Sequence, residues 1–85
     1  MRIYNTEGKR NIVGERIKKA RESYGWSQSV LAAKMQIEDV ILEQKAVSRI
    51  ELGNRLVTDY ELVTISKVLN VTIEWLLTGE NNKAL

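Results

Sequence analysis

The sequence contains no cysteine, no histidine and no proline. Without cysteine the chain cannot form disulfides or thiolate zinc sites, which a protein of the reducing cytoplasm can do without, so we expect a cytoplasmic location. Without histidine it lacks the usual general base, the commonest metal ligand and the side chain that titrates near neutral pH. We therefore expect no enzyme and neither a metal nor a cofactor.

Long hydrophobic runs are also absent. None approaches the roughly 18–20 residues that cross a bilayer, and no secretory signal follows the N-terminus. The 85 residues are 44% hydrophobic and 28% charged, a composition typical of a globular domain. A chain of this length forms one domain with a small core, since it buries only about two-thirds of its unfolded surface. We expect no membrane partner, and no small-molecule substrate is evident.

The net charge of +2 is distributed unevenly. Residues 1–37 contain eight basic and three acidic side chains, a balance of +5, whereas residues 38–85 contain five basic and eight acidic ones, a balance of −3. This asymmetry is compatible with a polyanion bound on one face. Solvated helix faces that differ in charge would give the same counts, so charge alone leaves both interpretations open.

Apolar periodicity and capping residues predict five short helices. In the first, from about Asn11 to Tyr24, the apolar stripe has helical spacing at Val13, Ile17, Ala20 and Tyr24. The predicted N-caps are Ser27, Thr58 and Thr72. Helices are predicted to end at Gly25 and Asn70, both in the left-handed conformation, and at Gly53 and Gly79. The predicted fold is all-α, a compact bundle of five short helices over residues 11–79, with an N-terminal arm at 1–10 and a C-terminal tail at 80–85.

The segment from Gln36 to Glu43 is harder to assign, because it contains apolar residues but no glycine and no clean period. A loop, an extension of the second helix and a turn all fit it. The third helix is predicted from about Glu43 to Leu52, with Val47 and Ile50 on its buried side.

Short motifs occur in order along these helices. After Arg21 come Gly25-Trp26-Ser27-Gln28, Leu31-Ala32, Val47-Ser48-Arg49-Ile50-Glu51, Gly53, Asp59-Tyr60-Glu61-Leu62 and Asn70-Val71-Thr72-Ile73-Glu74-Trp75-Leu76-Leu77. Together they resemble the Cro/repressor-type (XRE-like) helix-turn-helix family over about residues 11–79. The resemblance implies a lambda-repressor-like DNA-binding domain whose partner is double-stranded DNA. It also implies a transcriptional regulator that binds a pseudo-palindromic operator as a homodimer.

The resemblance further implies contacts to the DNA backbone. In this family the N-terminus of the second helix faces a phosphate, which places Ser27 and Gln28 there. The loop after the third helix touches the sugar-phosphate backbone, which places Asn54 and Arg55 there. A merely capping Ser27 with a solvated Gln28 is the alternative.

The third helix is the recognition helix of the resemblance and lies in the major groove. Its polar face holds Gln44, Lys45, Ser48 and Arg49, opposite Val47 and Ile50. Glutamine can pair with adenine, arginine or lysine with guanine, and serine with several bases. A solvated polar face would look similar, because every surface helix has one.

A structural ion pair is also implied by the resemblance, between Arg21 late in the first helix and Glu51 late in the recognition helix. A bidentate, partly buried pair would fix the angle of the recognition helix more than it would add stability.

Two features depart from the family pattern. The connection from Ser27 to Val47 is about five residues longer than usual, centred on Ile37 to Ile41, and lacks the usual turn glycine. A longer connection costs little free energy. It leaves open the angle at which the third helix docks on DNA. Glu43 stands where Ser or Thr is usual, and with Glu38 and Asp39 it adds negative charge beside the expected DNA face. Glu43 either accepts from cytosine N4 or favours the helix N-terminus.

The fifth helix is predicted to form a dimer interface. One recognition helix reads only a few base pairs, so specificity normally needs two half-sites about 34–36 Å apart. Because consecutive helical residues point in different directions, Ile73, Trp75, Leu76 and Leu77 cannot all face inward. We expect Ile73 or Trp75 to be exposed near the two-fold axis; burial of Trp75 in the core is the alternative.

Two classes of function therefore remain open. The first is the transcriptional regulator described above. The second is a protein-interaction module on the same scaffold, such as an antitoxin-like or bridging partner that binds DNA weakly or not at all.

Overall fold

The computed structural model describes residues 8–80, and within them the chain forms five α-helices. They are α1 (Gly14–Ser23), α2 (Gln28–Ile37), α3 (Gln44–Leu52), α4 (Asp59–Leu69) and α5 (Ile73–Thr78). The predicted all-α bundle of five short helices is confirmed, although α1 begins later than expected. Most of the predicted arm and tail, residues 1–7 and 81–85, lies outside the described residues. No helix in the described part is long and apolar enough to cross a membrane.

The N-terminal ends of three helices follow from their capping side chains. The hydroxyl of Ser27 accepts a hydrogen bond from the backbone N–H three residues further on, at 3.1 Å, and that of Thr72 does the same at 3.0 Å. Thr58 and Glu61 form the complete capping box, with Thr58 N–H donating to the Glu61 carboxylate at 3.0 Å. Because each cap satisfies a backbone group that the helix leaves open, it contributes about 1 kcal/mol to stability. All three predicted caps are confirmed.

The C-terminal ends follow from left-handed residues. All four predicted positions have positive φ angles, namely Gly25, Gly53, Asn70 and Gly79. At Gly53, with φ of +84°, this conformation ends α3 and turns the chain into the loop that follows it. The end of α3 is thus set by a residue without a Cβ atom.

The core lies where α1 to α5 meet. Its largest fully buried side chains are Ile17, Leu31, Met35, Val47, Ile50, Ile65, Leu69 and Leu76. Tyr24 departs from the predicted stripe and is 45% exposed, because α1 ends one residue before it. Its ring stacks on Trp26 with 4.4 Å between centroids, and its hydroxyl donates to the Leu69 carbonyl at 2.6 Å. Tyr24 therefore links α1 to α4 from the surface.

The segment between α2 and α3 combines two of the structures that its sequence allowed. The helix continues to Ile37, and the chain then turns at Asp39, whose φ of +65° is left-handed without a glycine. Leu42 is buried and anchors the segment in the core, while Ile41 is exposed. An ion pair of 2.8 Å between Glu38 and Lys67 ties the turn to α4. The longer connection is therefore held at both ends.

Of the two residues of α5 expected to be exposed, Ile73 or Trp75, the structure buries Trp75, which was the stated alternative. Its side chain belongs to the core and is 9% exposed, because α5 packs against α4 with Trp75 and Leu76 on the inner side. Ile73 and Leu77 are half-buried. Of the two candidates for an exposed residue on α5, Ile73 is therefore the more accessible.

Candidate nucleic-acid interface

Helix α3 has the two faces that its sequence predicts. Val47 and Ile50 are buried against the core, with exposed fractions of 2% and 1%. On the opposite side, Gln44, Lys45 and Arg49 are exposed and Ser48 is half-buried. Helix α3 therefore presents a polar surface of amide, hydroxyl and cationic groups that is open to a ligand.

The predicted pair of Arg21 and Glu51 is confirmed as a bidentate ion pair. Arg21 Nε donates to Glu51 Oε2 at 2.7 Å, and Arg21 Nη2 donates to Glu51 Oε1 at 2.9 Å. Both residues are buried, with exposed fractions of 8% and 7%. The hydrogen bonds to Glu51 raise the pKa of Arg21 above its ordinary value, although burial acts in the opposite direction. Arg21 Nη1 also donates to the Trp26 carbonyl at 2.6 Å, so this one side chain joins α1, the start of α2 and α3.

Gln28 makes a contact that neither of its expected roles includes. Its side-chain amide donates to Glu51 Oε1 at 3.0 Å and is half-buried, so it is not simply solvated. The amide nitrogen carries two hydrogens, so this bond leaves a second donor for another acceptor. It completes the network of Arg21 and Glu51 from α2. Because the first N–H groups of a helix have no acceptor within the helix, the backbone at the start of α2 still has donors to offer.

Gln44 is held by a residue that the sequence did not single out. The hydroxyl of Ser29 on α2 donates to Gln44 Oε1 at 3.0 Å. A glutamine that pairs with adenine uses both its carbonyl oxygen and its amide nitrogen. Ser29 therefore orients the Gln44 amide before any base is bound and uses one of the two lone pairs of its oxygen.

Arg55 is engaged in the loop after α3. Its guanidinium forms a bidentate pair with Glu61, at 2.8 and 3.1 Å, and also donates to the Leu56 carbonyl at 2.9 Å. Burial favours the protonated form of Glu61, but the hydrogen bonds from Arg55 and Thr58 outweigh it and lower the pKa of Glu61. The same bond to Glu61 raises the pKa of Arg55. Asn54 stays exposed, with its N–H donating to the Arg49 carbonyl at 2.8 Å.

Sequence reasoning missed Asn11 and Gly14, which hold the last turn of α3 against α1. Asn11 Nδ2 donates to the carbonyls of Ile50 and Arg55, at 3.0 and 2.8 Å, while its Oδ1 accepts from the N–H of Gly14 at 2.8 Å. A Cβ atom on Gly14 would lie 2.2 Å from the Ile50 carbonyl oxygen. The available signal was a glycine in the first turn of a helix, where it is otherwise unfavourable.

The acidic residues beside α3 are only partly neutralised. Glu38 is paired with Lys67, whereas Asp39 is exposed and Glu43 is the N-cap of α3 without a side-chain cap hydrogen bond. Glu43 therefore acts on the helix through its charge near the N-terminus rather than through a bond. Within residues 8–80, no group of three or more acidic side chains is placed to hold a metal ion.

Helices α2 and α3 are joined by a turn, and α3 has an exposed polar face. A buried ion pair fixes α3 to α1, and a hydrogen bond from Gln28 connects α2 to the same pair. This arrangement defines a helix-turn-helix domain. Residues 17–76 match the family model described as helix-turn-helix, so the chain belongs to the Cro/C1-type (XRE) helix-turn-helix family. This is a DNA-binding family and not a family of enzymes.

A search of solved structures finds the same fold. The crystal structure of the P22 c2 repressor protein in complex with synthetic operator 9T matches with a TM-score of 0.71 at 24% identity, over 82% of this chain and 98% of that chain. The likeness shows the fold, a lambda-repressor-like all-α domain of five helices. No curated protein matches the chain.

Proposed function

We propose that this protein is a transcriptional regulator that binds a pseudo-palindromic operator as a dimer, with α3 in the major groove. The observation that carries the proposal is the polar face of α3, which is exposed while its other face is locked into the core. Direct readout of base edges needs a helix that is fixed in place and that presents amide and cationic groups to the DNA.

Base contacts are assigned to Gln44, Lys45, Ser48 and Arg49. Lys45 and Arg49 are exposed and form no ion pair within residues 8–80, so their charged groups can reach guanine O6 and N7. Gln44 suits adenine, and Ser29 holds its amide in place. Ser48 is half-buried and suits a close approach to the groove.

Phosphate contacts are assigned to the two ends of the motif. At the start of α2, the capping Ser27 and the N–H groups around Gln28 face a backbone phosphate. After α3, Asn54 offers its exposed side-chain amide. Arg55 contributes chiefly by holding this loop, because Glu61 occupies its guanidinium.

The dimer interface is assigned to α5. Trp75 is largely enclosed by its own chain, so the half-buried Ile73 and Leu77 supply the accessible apolar surface there. Two copies related by a two-fold axis would place their α3 helices on successive turns of the duplex.

Binding to random duplex DNA tests the proposal. We expect a labelled duplex to bind at low salt and to be released as salt rises, because basic residues displace counterions from the phosphates. Fluorescence anisotropy between 50 and 300 mM salt measures this. No binding at any salt would contradict the proposal.

A second candidate, a protein-interaction module, is favoured by the large apolar side chains exposed around the loop after α3 and on α4. They are Leu52, Leu56, Tyr60 and Val63, all more than half exposed. The same anisotropy measurement separates the two candidates, since a module of this kind needs no salt-sensitive affinity for duplex DNA.

A further inference from the structure

An open depression lies at the C-terminal end of α3, with a volume of about 430 Å³. It is lined by Arg10, Arg49, Asn54, Arg55, Leu56 and Thr58, a set with three guanidinium groups and no carboxylate. A water molecule takes about 30 Å³ in the liquid, so the depression can admit a phosphate group with part of its hydration. Its chemistry is that of an anion site.

Within residues 8–80, ion pairs cancel only part of the charge in the depression. The Arg55 guanidinium is neutralised by Glu61. Arg10 and Arg49 have no ion-pair partner among residues 8–80. Two positive charges therefore remain beside the exposed face of α3.

Arg10 is fixed at this position by its backbone. Its N–H donates to the Gly53 carbonyl at 2.7 Å, and the next residue, Asn11, donates to the Ile50 and Arg55 carbonyls. Its side chain is exposed. The neighbouring Lys9 differs, because its ammonium is paired with Glu15 at 3.3 Å. The backbone of Arg10 is thus hydrogen-bonded to the C-terminal end of α3, and its charged side chain lies beside that end.

We propose that Arg10 binds a backbone phosphate of duplex DNA in this depression, together with Asn54. The inference rests on the proposed function, because a helix in the major groove has a phosphate strand on either side of it. The strand that passes the C-terminal end of α3 meets this depression. Arg10 then adds affinity for all sequences alike and fixes the register of α3, without reading bases.

Matched substitutions of adjacent cations test the inference. Arg10→Gln removes the charge but keeps the backbone bond to Gly53, so the variant is expected to fold; Arg10→Lys keeps the charge. Lys9→Gln is the control, since it removes a neighbouring cation that is already paired. Anisotropy with random and with selected duplexes, over a range of salt, gives the slope of log K against log salt for each protein.

We expect Arg10→Gln to make this slope shallower by about 0.9 per bound domain, for random and selected duplexes alike. Arg10→Lys and Lys9→Gln should keep the parent slope. If the parent binds duplex DNA and Arg10→Gln has the same slope, this inference is overturned and the proposed function still stands. A parent that binds no duplex would overturn both. Circular dichroism of each variant checks that the helical content is preserved.

Discussion

At the scale of single residues, the orientation of α3 depends on a small polar network. Arg21, Gln28 and Glu51 come from three different helices and meet in a largely buried place. Buried ion pairs add little net stability, but they leave a costly unpaired charge when one member is lost. The network therefore fixes the angle between helices rather than supplying the main stabilisation, which comes from the apolar core.

This network gives the first prediction. Glu51→Ala leaves the Arg21 guanidinium buried without its carboxylate, so it should lower the free energy of unfolding by about 3–5 kcal/mol. The double variant Arg21→Met with Glu51→Leu should recover most of that loss. Urea denaturation of the parent and both variants measures the effect. A cost below about 1 kcal/mol for Glu51→Ala, as for a surface pair, would contradict the role given to the network.

Gly14 gives a second prediction at the same scale. Alanine normally stabilises a helix by about 1 kcal/mol over glycine. At Gly14 the added Cβ would meet the Ile50 carbonyl oxygen at 2.2 Å, and α1 and α3 would have to separate. Gly14→Ala should therefore lower the melting temperature rather than raise it.

Lys18→Ala, an exposed position on the same helix, is the control for Gly14→Ala and should change stability by no more than about 0.5 kcal/mol. If Gly14→Ala melts at or above the temperature of the parent, α1 and α3 are not in the contact described.

At the scale of helices and loops, what the residue pattern alone predicts well is local, whereas the long-range pair of Arg21 and Glu51 is predicted only through the family resemblance. The caps at Ser27, Thr58 and Thr72 each involve a residue three positions further on, and the buried side of α3 follows from the helical spacing of its apolar residues. Both features can therefore be predicted from short stretches of sequence. The contacts of Asn11 with Ile50 and of Ser29 with Gln44 join distant parts of the chain, and no local pattern encodes them. For this reason the helices are predicted better than the long-range hydrogen bonds that position the side chains of α3.

The N-terminus of α4 gives a prediction about pH. The pKa of Glu61 is lowered from its ordinary value of 4.5 in the folded protein. When a carboxyl group has a lower pKa in the folded state than in the unfolded state, its ionised form stabilises the fold at pH values above the pKa of the unfolded state. That stabilisation is lost as the pH falls through the pKa of the folded state. Bonds to Arg55 and Thr58 are the cause here, so acid should loosen the loop after α3.

Unfolding by urea at pH 7 and at pH 3 tests this expectation. The parent should lose more stability between the two pH values than Glu61→Gln, because the variant has no charge to lose at this position. Equal losses in the two proteins would show that Glu61 does not contribute to the acid sensitivity of the fold.

At the scale of the whole molecule, the proposed operator requires two copies of the chain. A two-fold dimer through α5 predicts that two domains bind one duplex with two half-sites, and that Ile73→Glu weakens this assembly but not the fold, because Ile73 is only half-buried. Sedimentation at micromolar concentration, with and without duplex, measures the stoichiometry. A strict monomer under both conditions would leave α5 without the proposed role.

The central claim is that the polar face of α3 reads base sequence, and selection from a pool of random duplexes tests it most directly. The parent should enrich related fragments with two half-sites about one helical turn, 10–10.5 base pairs, or multiples of it apart. The triple variant Gln44→Ala, Lys45→Ala, Arg49→Ala should keep its helical content and lose the preference, each lost base contact costing about 1–3 kcal/mol. Enrichment of the same sites by the triple variant would contradict the account.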